Sequence, residues 1–405
     1  MTESPYPMIE VDVALASVME RVSPLQSQPV PLAQARGMVI ARDIAAGEPM
    51  PPFASAAVDG FAVVASDGTG SRPVVGDAPA GSAPALRVEP GTAVRIATGA
   101  PVPDGADAVV MVEYTRFENG TVTVDAQVSP GDGIRRAGTD HQADETLLEA
   151  GSVLEAAHIG LAASAGCALV EAHRRPHVAV LSTGDELVGI TEVLGPGQIR
   201  DSNRLALLAA VEEAGGIPLD GGHVGDSDEA TEALAMVARA ADLVVTSGGV
   251  SMGHRDRVKP WLEKSGEVVF GRVRMKPGKP ATFGIVNGKP IFALPGFPVS
   301  ALVTFELFVR PAIRRMAGHR EPNRPLWVVT LADDARSDPN RVEFARARVT
   351  LGPSGPVAHL TGAQGSGRIL SLADANALVR LDQTTPEVMA GTKVSAMILG
   401  RVDAR

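Results

Sequence analysis

The sequence predicts a multi-domain α/β plus β protein, and three patterns carry that expectation. Between residues 175 and 318, apolar strands without inside–outside alternation are separated by helical stretches, as in a mainly parallel sheet covered on both faces. From about 40 to 140, short β-branched runs are punctuated by Gly, Pro and Asp. From about 321 onward, short β runs return. The 405 residues suit roughly two to four domains.

Taken in order, residues 8–36 read as one or two amphipathic helices, with Val11, Leu15, Val18, Met19 and Val22 near a 3.6-residue period. The runs Gly60–Ala65, Thr92–Ile96, Ala108–Glu113 and Gly120–Val124 read as strands of a small β unit, and the Gly-, Pro- and Ser-rich stretch Asp67–Pro84 as an exposed loop. A helical period returns over about 145–170, through Leu147, Leu148, Val153, Leu154, Ile159 and Leu161. The domain division is therefore 1–40 with 141–172 as a discontinuous helical domain, 41–140 as an inserted β domain, 173–320 as the α/β domain and 321–405 as a second β domain. Within the α/β part, strands are expected at His177–Leu181, Ile217–Gly222, Leu243–Thr246 and Val268–Val273, and helices at Asn203–Ala214, Asp228–Ala240 and Pro298–Met316. The C-terminal strands are expected at Trp327–Leu331, Arg341–Val349, Ala377–Leu381 and Thr392–Leu399.

Composition excludes several function classes. Apolar residues make up 45% and charged residues 21%, an ordinary globular balance. A net charge of −10 disfavours nucleic acid as a partner, because phosphate neutralisation needs a cationic surface. Any anionic ligand must then be held by a local basic pocket. The single cysteine, Cys167, excludes an internal disulfide and a cysteine–histidine metal cluster, reads as a buried thiol, and fits a reducing cytoplasm. No leader and no membrane-inserting run is visible; the best candidate, Ile291 to Val309, is broken by Pro295, Gly296, Pro298 and Glu306.

The chemistry-bearing motifs cluster after the expected strands, where α/β sheets bind ligands. Ser182-Thr-Gly-Asp-Glu-Leu187 supplies a turn with two carboxylates; alone, it reads equally as an acidic strand-to-helix turn. In Thr246-Ser-Gly-Gly-Val-Ser-Met-Gly-His-Arg-Asp256, Gly248, Gly249 and Gly253 bare backbone amides for an anion, with hydroxyls from Ser247 and Ser251, or simply make a turn. Glu186, Asp226 and Asp256 stand after three different strands; three converging acids repel unless a cation joins them, which supports Mg²⁺ on a phosphate ligand. Lys276-Pro-Gly-Lys279 is a stiff basic turn, either solvated or aimed at an oxyanion. Leu294-Pro-Gly-Phe-Pro-Val-Ser300 fixes a rigid helix start, with Ser300 as a candidate anion donor. In the inserted segment, Asp59 and Thr98 read on their own as turn formers.

Together these motifs resemble the molybdopterin molybdenumtransferase family, which includes bacterial MoeA and the gephyrin E domain. The resemblance runs from about Val11 to about Leu399 and rests on conjunction: Ser55-Ala-Ala-Val-Asp-Gly-Phe61, Arg95-Ile-Ala-Thr-Gly-Ala100, Gly105-Ala-Asp-Ala-Val-Val110, the acidic turn, Gly197-Gln-Ile-Arg-Asp-Ser-Asn203, the glycine turn, the basic turn and the Pro295–Ser300 turn occur in family order. It implies an adenylyltransferase-like three-layer α/β domain, a discontinuous helical domain that builds a homodimer, an inserted β domain and a C-terminal β-barrel-like domain. The implied reaction inserts molybdate into adenylylated molybdopterin and releases AMP with the help of Mg²⁺. Carried over by motif, Glu186, Asp226 and Asp256 hold the nucleotide–metal end, and Ser247, Gly248, Gly249, Ser251 and Gly253 cradle the pterin phosphate. Lys276, Lys279, Pro295, Pro298 and Ser300 line the molybdate pocket, with Arg346 and Ser366 as further candidates. Asp59, Thr98 and Asp140 are expected to enter the cleft of the partner subunit. The chain departs from the family pattern at Phe297, where Asn is usual, and at Thr139, where Glu is usual. The partners implied are a molybdopterin adenylyltransferase and molybdoenzyme apoproteins. The alternative is a gephyrin-like scaffold that binds a membrane-receptor or cytoskeletal peptide; a weaker rival is a competence-damage-type pyrophosphatase sharing the α/β domain alone.

Overall fold

The computed structural model describes residues 6–82, 85–225, 229–249, 258–382 and 386–404. Two compact units emerge: residues 1–29, 37–41 and 171–405 form one, and residues 30–36 and 42–170 the other.

At the centre of the first unit is a six-stranded sheet ordered Ile217–Val224, His177–Thr183, Leu243–Ser247, Lys289–Leu294, Thr282–Val286 and Glu267–Phe270. The first four strands run parallel and the last two pair antiparallel, so the sheet is mainly parallel as expected. The chain leaves His177–Thr183 in one direction, through helix Ser202–Glu213 to Ile217–Val224, and then crosses back through helix Glu229–Ala240 to Leu243–Ser247. The winding therefore reverses between His177–Thr183 and Leu243–Ser247, which opens a crevice beyond their carboxyl ends. Both faces are covered, which explains why these strands carry continuous apolar runs. On one face Leu207 and Val211 join Phe283, Phe292, Phe305 and Phe308. On the other, Leu234, Ala238, Trp261 and Leu262 pack against Leu181 and Val244.

Helix Pro298–Thr304 continues through a π-helical turn, Phe305–Val309, into Arg310–Met316, so the long helix expected over this range is present with one irregular turn. Pro311 accounts for the irregularity: it has no N–H to give the preceding turn, and its ring crowds the carbonyl four residues back. Helix Val11–Arg21 buries Val11, Ala14 and Val18 in the same core.

The C-terminal strands close into a five-stranded barrel. Val342–Gly352, Gly355–Leu360, Leu326–Leu331, Lys393–Ile398 and Ala377–Leu381 pair in turn, and Ala377–Leu381 pairs back to Val342–Gly352. The short strand Met275–Lys276 pairs parallel to Val342–Glu343, which ties the basic turn to the barrel.

The second unit holds another six-stranded sheet, ordered Ala108–Met111, Gly60–Val63, Ala93–Ile96, Gly70–Ala78, Thr121–Val124 and Thr115–Glu118. Here one expectation is corrected: the stretch Asp67–Pro84 contains the nine-residue strand Gly70–Ala78 rather than an exposed loop. Arg72, Val74, Gly76 and Ala78 turn inward with a period of two. The pattern is disguised because Arg72 is buried at 4% exposure, donating to the Gly68 carbonyl at 2.6 Å and lying 3.6 Å from Asp67. The helical readings of 8–36 and 145–170 also shrink. The first helix stops at Arg21, ahead of Pro24, and Pro29 and Pro31 keep the following segment extended as strand Ser27–Pro31, while Thr146–Leu148 is a strand and the second helix is Ala156–Ser164. Cys167 is half-buried rather than buried. Among the described residues, no helix is long and apolar enough to cross a membrane.

Candidate active site

A cleft of about 890 Å³ opens in the first unit beyond the carboxyl ends of the parallel strands. Strand register puts Ser182, Ser247 and Leu294 in one row across the sheet, so the acidic, glycine and proline turns that follow them converge. The barrel contributes Arg341 and the loop Gln364–Ser366, and the basic turn contributes Lys276 and Lys279.

The glycines are required by space as well as conformation. Gly248 has φ +92°, and a β-carbon there would lie 2.4 Å from the Thr183 carbonyl oxygen. Its amide donates to the Leu294 carbonyl at 3.1 Å, so that N–H is committed to the sheet rather than to an anion. Asn203 holds two of the turns together, its Nδ2 donating to Ser247 Oγ at 2.8 Å and to the Gly296 carbonyl at 2.7 Å. Asp201, 2% exposed, caps helix Ser202–Glu213 by accepting from the Arg204 amide and also accepts from Ser182 Oγ at 3.0 Å. Its oxygens are thereby committed to the scaffold.

The cations on the cleft wall differ in what else they touch. Arg200 donates to the carbonyls of Ile190 and Glu192, and Arg341 pairs with Asp338. Lys276 Nζ lies 3.1 Å from Glu343, whose side chain is 3% exposed. Among the described residues Lys279 has no such partner, so its half-buried ammonium is the wall cation left to meet a ligand anion. Ser300, 4% exposed, has a hydroxyl without a hydrogen-bond partner among the described residues and lines the same cleft. The nearby Val299 amide donates to the Ser366 carbonyl at 3.1 Å, so that N–H is not open to an anion. Pro295, Pro298 and Ser366 also line the cleft.

Glu186 lines the cleft, is exposed, and its carboxylate makes no ion pair or hydrogen bond among the described residues. Asp226, Asp256, Ser251 and Gly253 lie outside the described residues. Among the described residues no three His, Cys, Asp or Glu side chains converge to hold a metal, and Glu186 is the carboxylate that could.

Arg346 sits elsewhere than its motif suggests. It is fully buried beneath the cleft, donating to Ser371 Oγ at 3.3 Å and to the carbonyls of Phe344 and Gly365 at 3.3 and 3.4 Å. Burial pushes its pKa below the ordinary value against the pull of Glu343. It braces the Gln364–Ser366 loop, while Arg341 reaches the cleft wall. Asp59, Thr98 and Asp140 belong to the second unit. Asp59 accepts from the Thr98 amide at 2.6 Å and its hydroxyl at 2.7 Å, and these bonds hold its carboxyl below the ordinary range. Asp140 lies 4.0 Å from Arg135. Asn203 and Arg341 are not among the site residues that the motifs single out; the Asp-Ser-Asn helix start is the sequence signal for the first.

Three family profiles match nearly the whole chain: the MoeA N-terminal region (domain I and II) over residues 9–166, a probable molybdopterin binding domain over 179–315, and the MoeA C-terminal region (domain IV) over 328–399. The chain belongs to the molybdopterin molybdenumtransferase family. It is 39% identical over 394 residues to molybdopterin molybdenumtransferase 2 of Mycobacterium tuberculosis, covering 94% of this chain and 96% of that one. It is 34% identical to gephyrin of Dictyostelium discoideum across 99% of this chain, which spans 63% of gephyrin. The fold matches the crystal structure of the molybdopterin biosynthesis MoeA protein from Pyrococcus horikosii with a TM-score of 0.83, 32% identity, and coverage of 98% and 100%.

Proposed function

We infer that this family member works in molybdenum cofactor biosynthesis as a molybdopterin molybdenumtransferase, inserting molybdate into adenylylated molybdopterin with release of AMP. The observation that carries this reading is the unpartnered Lys279 ammonium, among the described residues, in the same cleft as the Ser300 hydroxyl and the Glu186 carboxylate. Molybdate is a dianion, and a lysine with a hydroxyl donor offers it charge-assisted hydrogen bonds while limiting its repulsion from the dithiolate it must approach. Lys276 adds positive potential at the same corner, with Pro295, Pro298 and Ser366 shaping the pocket. Ser247 and Gly249, with Ser251 and Gly253, are assigned to the phosphate of the pterin, and Gly248 shapes the turn that presents them.

Hard carboxylate oxygens suit Mg²⁺, and Glu186 with Asp226 and Asp256 is the assigned donor set. When bound there, the cation neutralises phosphate charge and favours AMP as a leaving group. Asp59, Thr98 and Asp140 are assigned to the cleft of the partner subunit in a homodimer. The gephyrin-like scaffold reading accounts less well for a cleft that keeps a lysine free, among the described residues, for a ligand beside the Ser300 hydroxyl.

AMP release tests the assignment. Purified protein given adenylylated molybdopterin is expected to release AMP when molybdate is added, and to release little without it. A protein that binds neither compound, or shows no molybdate-dependent release, is not this enzyme.

A further inference from the structure

Phe53, Phe117 and Phe297 are the exposed phenylalanines among ten, and Phe297 is the most exposed at 64%. Phe117 at least has Phe61 as a neighbour, with ring centroids 5.7 Å apart. Phe297 instead projects from the proline turn into the wall of the cleft.

Its position is held firmly. The Gly296 carbonyl accepts from Asn203, and the Phe297 carbonyl accepts from the Ala301 amide at 2.9 Å. Pro298 restricts the residue before it to an extended conformation, and Phe297 adopts φ −72° and ψ 130°. Gly367 sits beside one edge of the ring, where a β-carbon would lie 3.5 Å from Phe297 Cδ1, an ordinary contact. An exposed aromatic face on a fixed backbone, beside a loop without a covering side chain, is suited to stacking a flat ring.

We propose that Phe297 is a specificity-determining residue that stacks on the heteroaromatic ring of the ligand. The proposal rests on the function inferred above, whose substrate carries two such rings, a pterin and an adenine. Stacking would select ligands that carry a ring over phosphates that do not.

The test is calorimetric titration of wild type and Phe297→Ala, Leu, Tyr and Trp with neopterin monophosphate, AMP and ribose 5-phosphate. Phe297→Ala and Phe297→Leu are expected to weaken one or both ring-bearing ligands about tenfold and to leave ribose 5-phosphate nearly unchanged. Phe297→Tyr and Phe297→Trp should keep wild-type affinity, and the ligand affected identifies the ring. Equal affinity for all three ligands in wild type and Phe297→Ala, or equal losses for all three, overturns the proposal. Failure of wild type to bind any of the three removes the functional reading beneath it as well, which separates the two failures. Because the side chain is exposed, thermal unfolding of Phe297→Ala should match wild type.

Discussion

Lys276 and Lys279 sit three residues apart in one turn, yet their replacement should have different consequences. Lys279→Ala removes an ammonium without a partner among the described residues. A hydrogen bond to a charged group contributes about 1.5–3 kcal/mol, so molybdate affinity should fall roughly 10- to 150-fold with little change in thermal stability. Lys276→Ala also strips the counter-charge from Glu343, whose side chain is 3% exposed. Breaking a fully buried pair costs about 3–5 kcal/mol; because Lys276 is 42% exposed, solvent screening reduces this to roughly 1–3 kcal/mol. Lys276→Ala should therefore melt several degrees lower, and Glu343→Gln in the same chain should restore much of that loss. Titration with molybdate alongside calorimetric unfolding reads both quantities. Unaltered molybdate affinity in Lys279→Ala, or wild-type stability in Lys276→Ala, would refute the division of labour.

Gly248→Ala forces a β-carbon to 2.4 Å from the Thr183 carbonyl and should abolish binding of neopterin monophosphate, read by titration. Asn203→Ala removes both ties between the glycine and proline turns; it should weaken neopterin monophosphate and molybdate together while costing about 1–2 kcal/mol of stability by denaturant unfolding. Asp242 gives a pH signature. Burial raises its pKa, but two 2.6 Å hydrogen bonds from Arg174 and one from the His177 amide outweigh this and hold it below the ordinary carboxylate value. A depressed carboxyl stabilises the fold above its unfolded pKa and loses that contribution as pH falls through the folded value, so Asp242→Asn should be less stable than wild type at neutral pH and approach it at strongly acid pH.

The α/β unit was legible because its buried strands are continuously apolar and its turns carry glycine and proline where the sheet ends. Strand Gly70–Ala78 was not, since its inward positions include Arg72 and Gly76, which periodicity counts as polar or as a break. Lys276, Lys279, Glu186 and Ser300 line the cleft, and that placement was legible because a charged or hydroxyl side chain followed a turn signal. Arg346 shows the limit of that signal: an arginine in a β run marks a charge but not its direction, and here the side chain turns inward to carbonyls. The partner of Lys276 was invisible for the same reason, because Glu343 lies 67 residues away and meets it through strand pairing.

Crystals soaked in molybdate and measured at the molybdenum absorption edge locate the metal without ambiguity. An anomalous peak within hydrogen-bonding reach of Lys279 Nζ and Ser300 Oγ is the expected result, and its loss in Lys279→Ala would tie it to that ammonium. A peak elsewhere in the protein, with that corner empty at saturating molybdate, would contradict the assignment of the cleft.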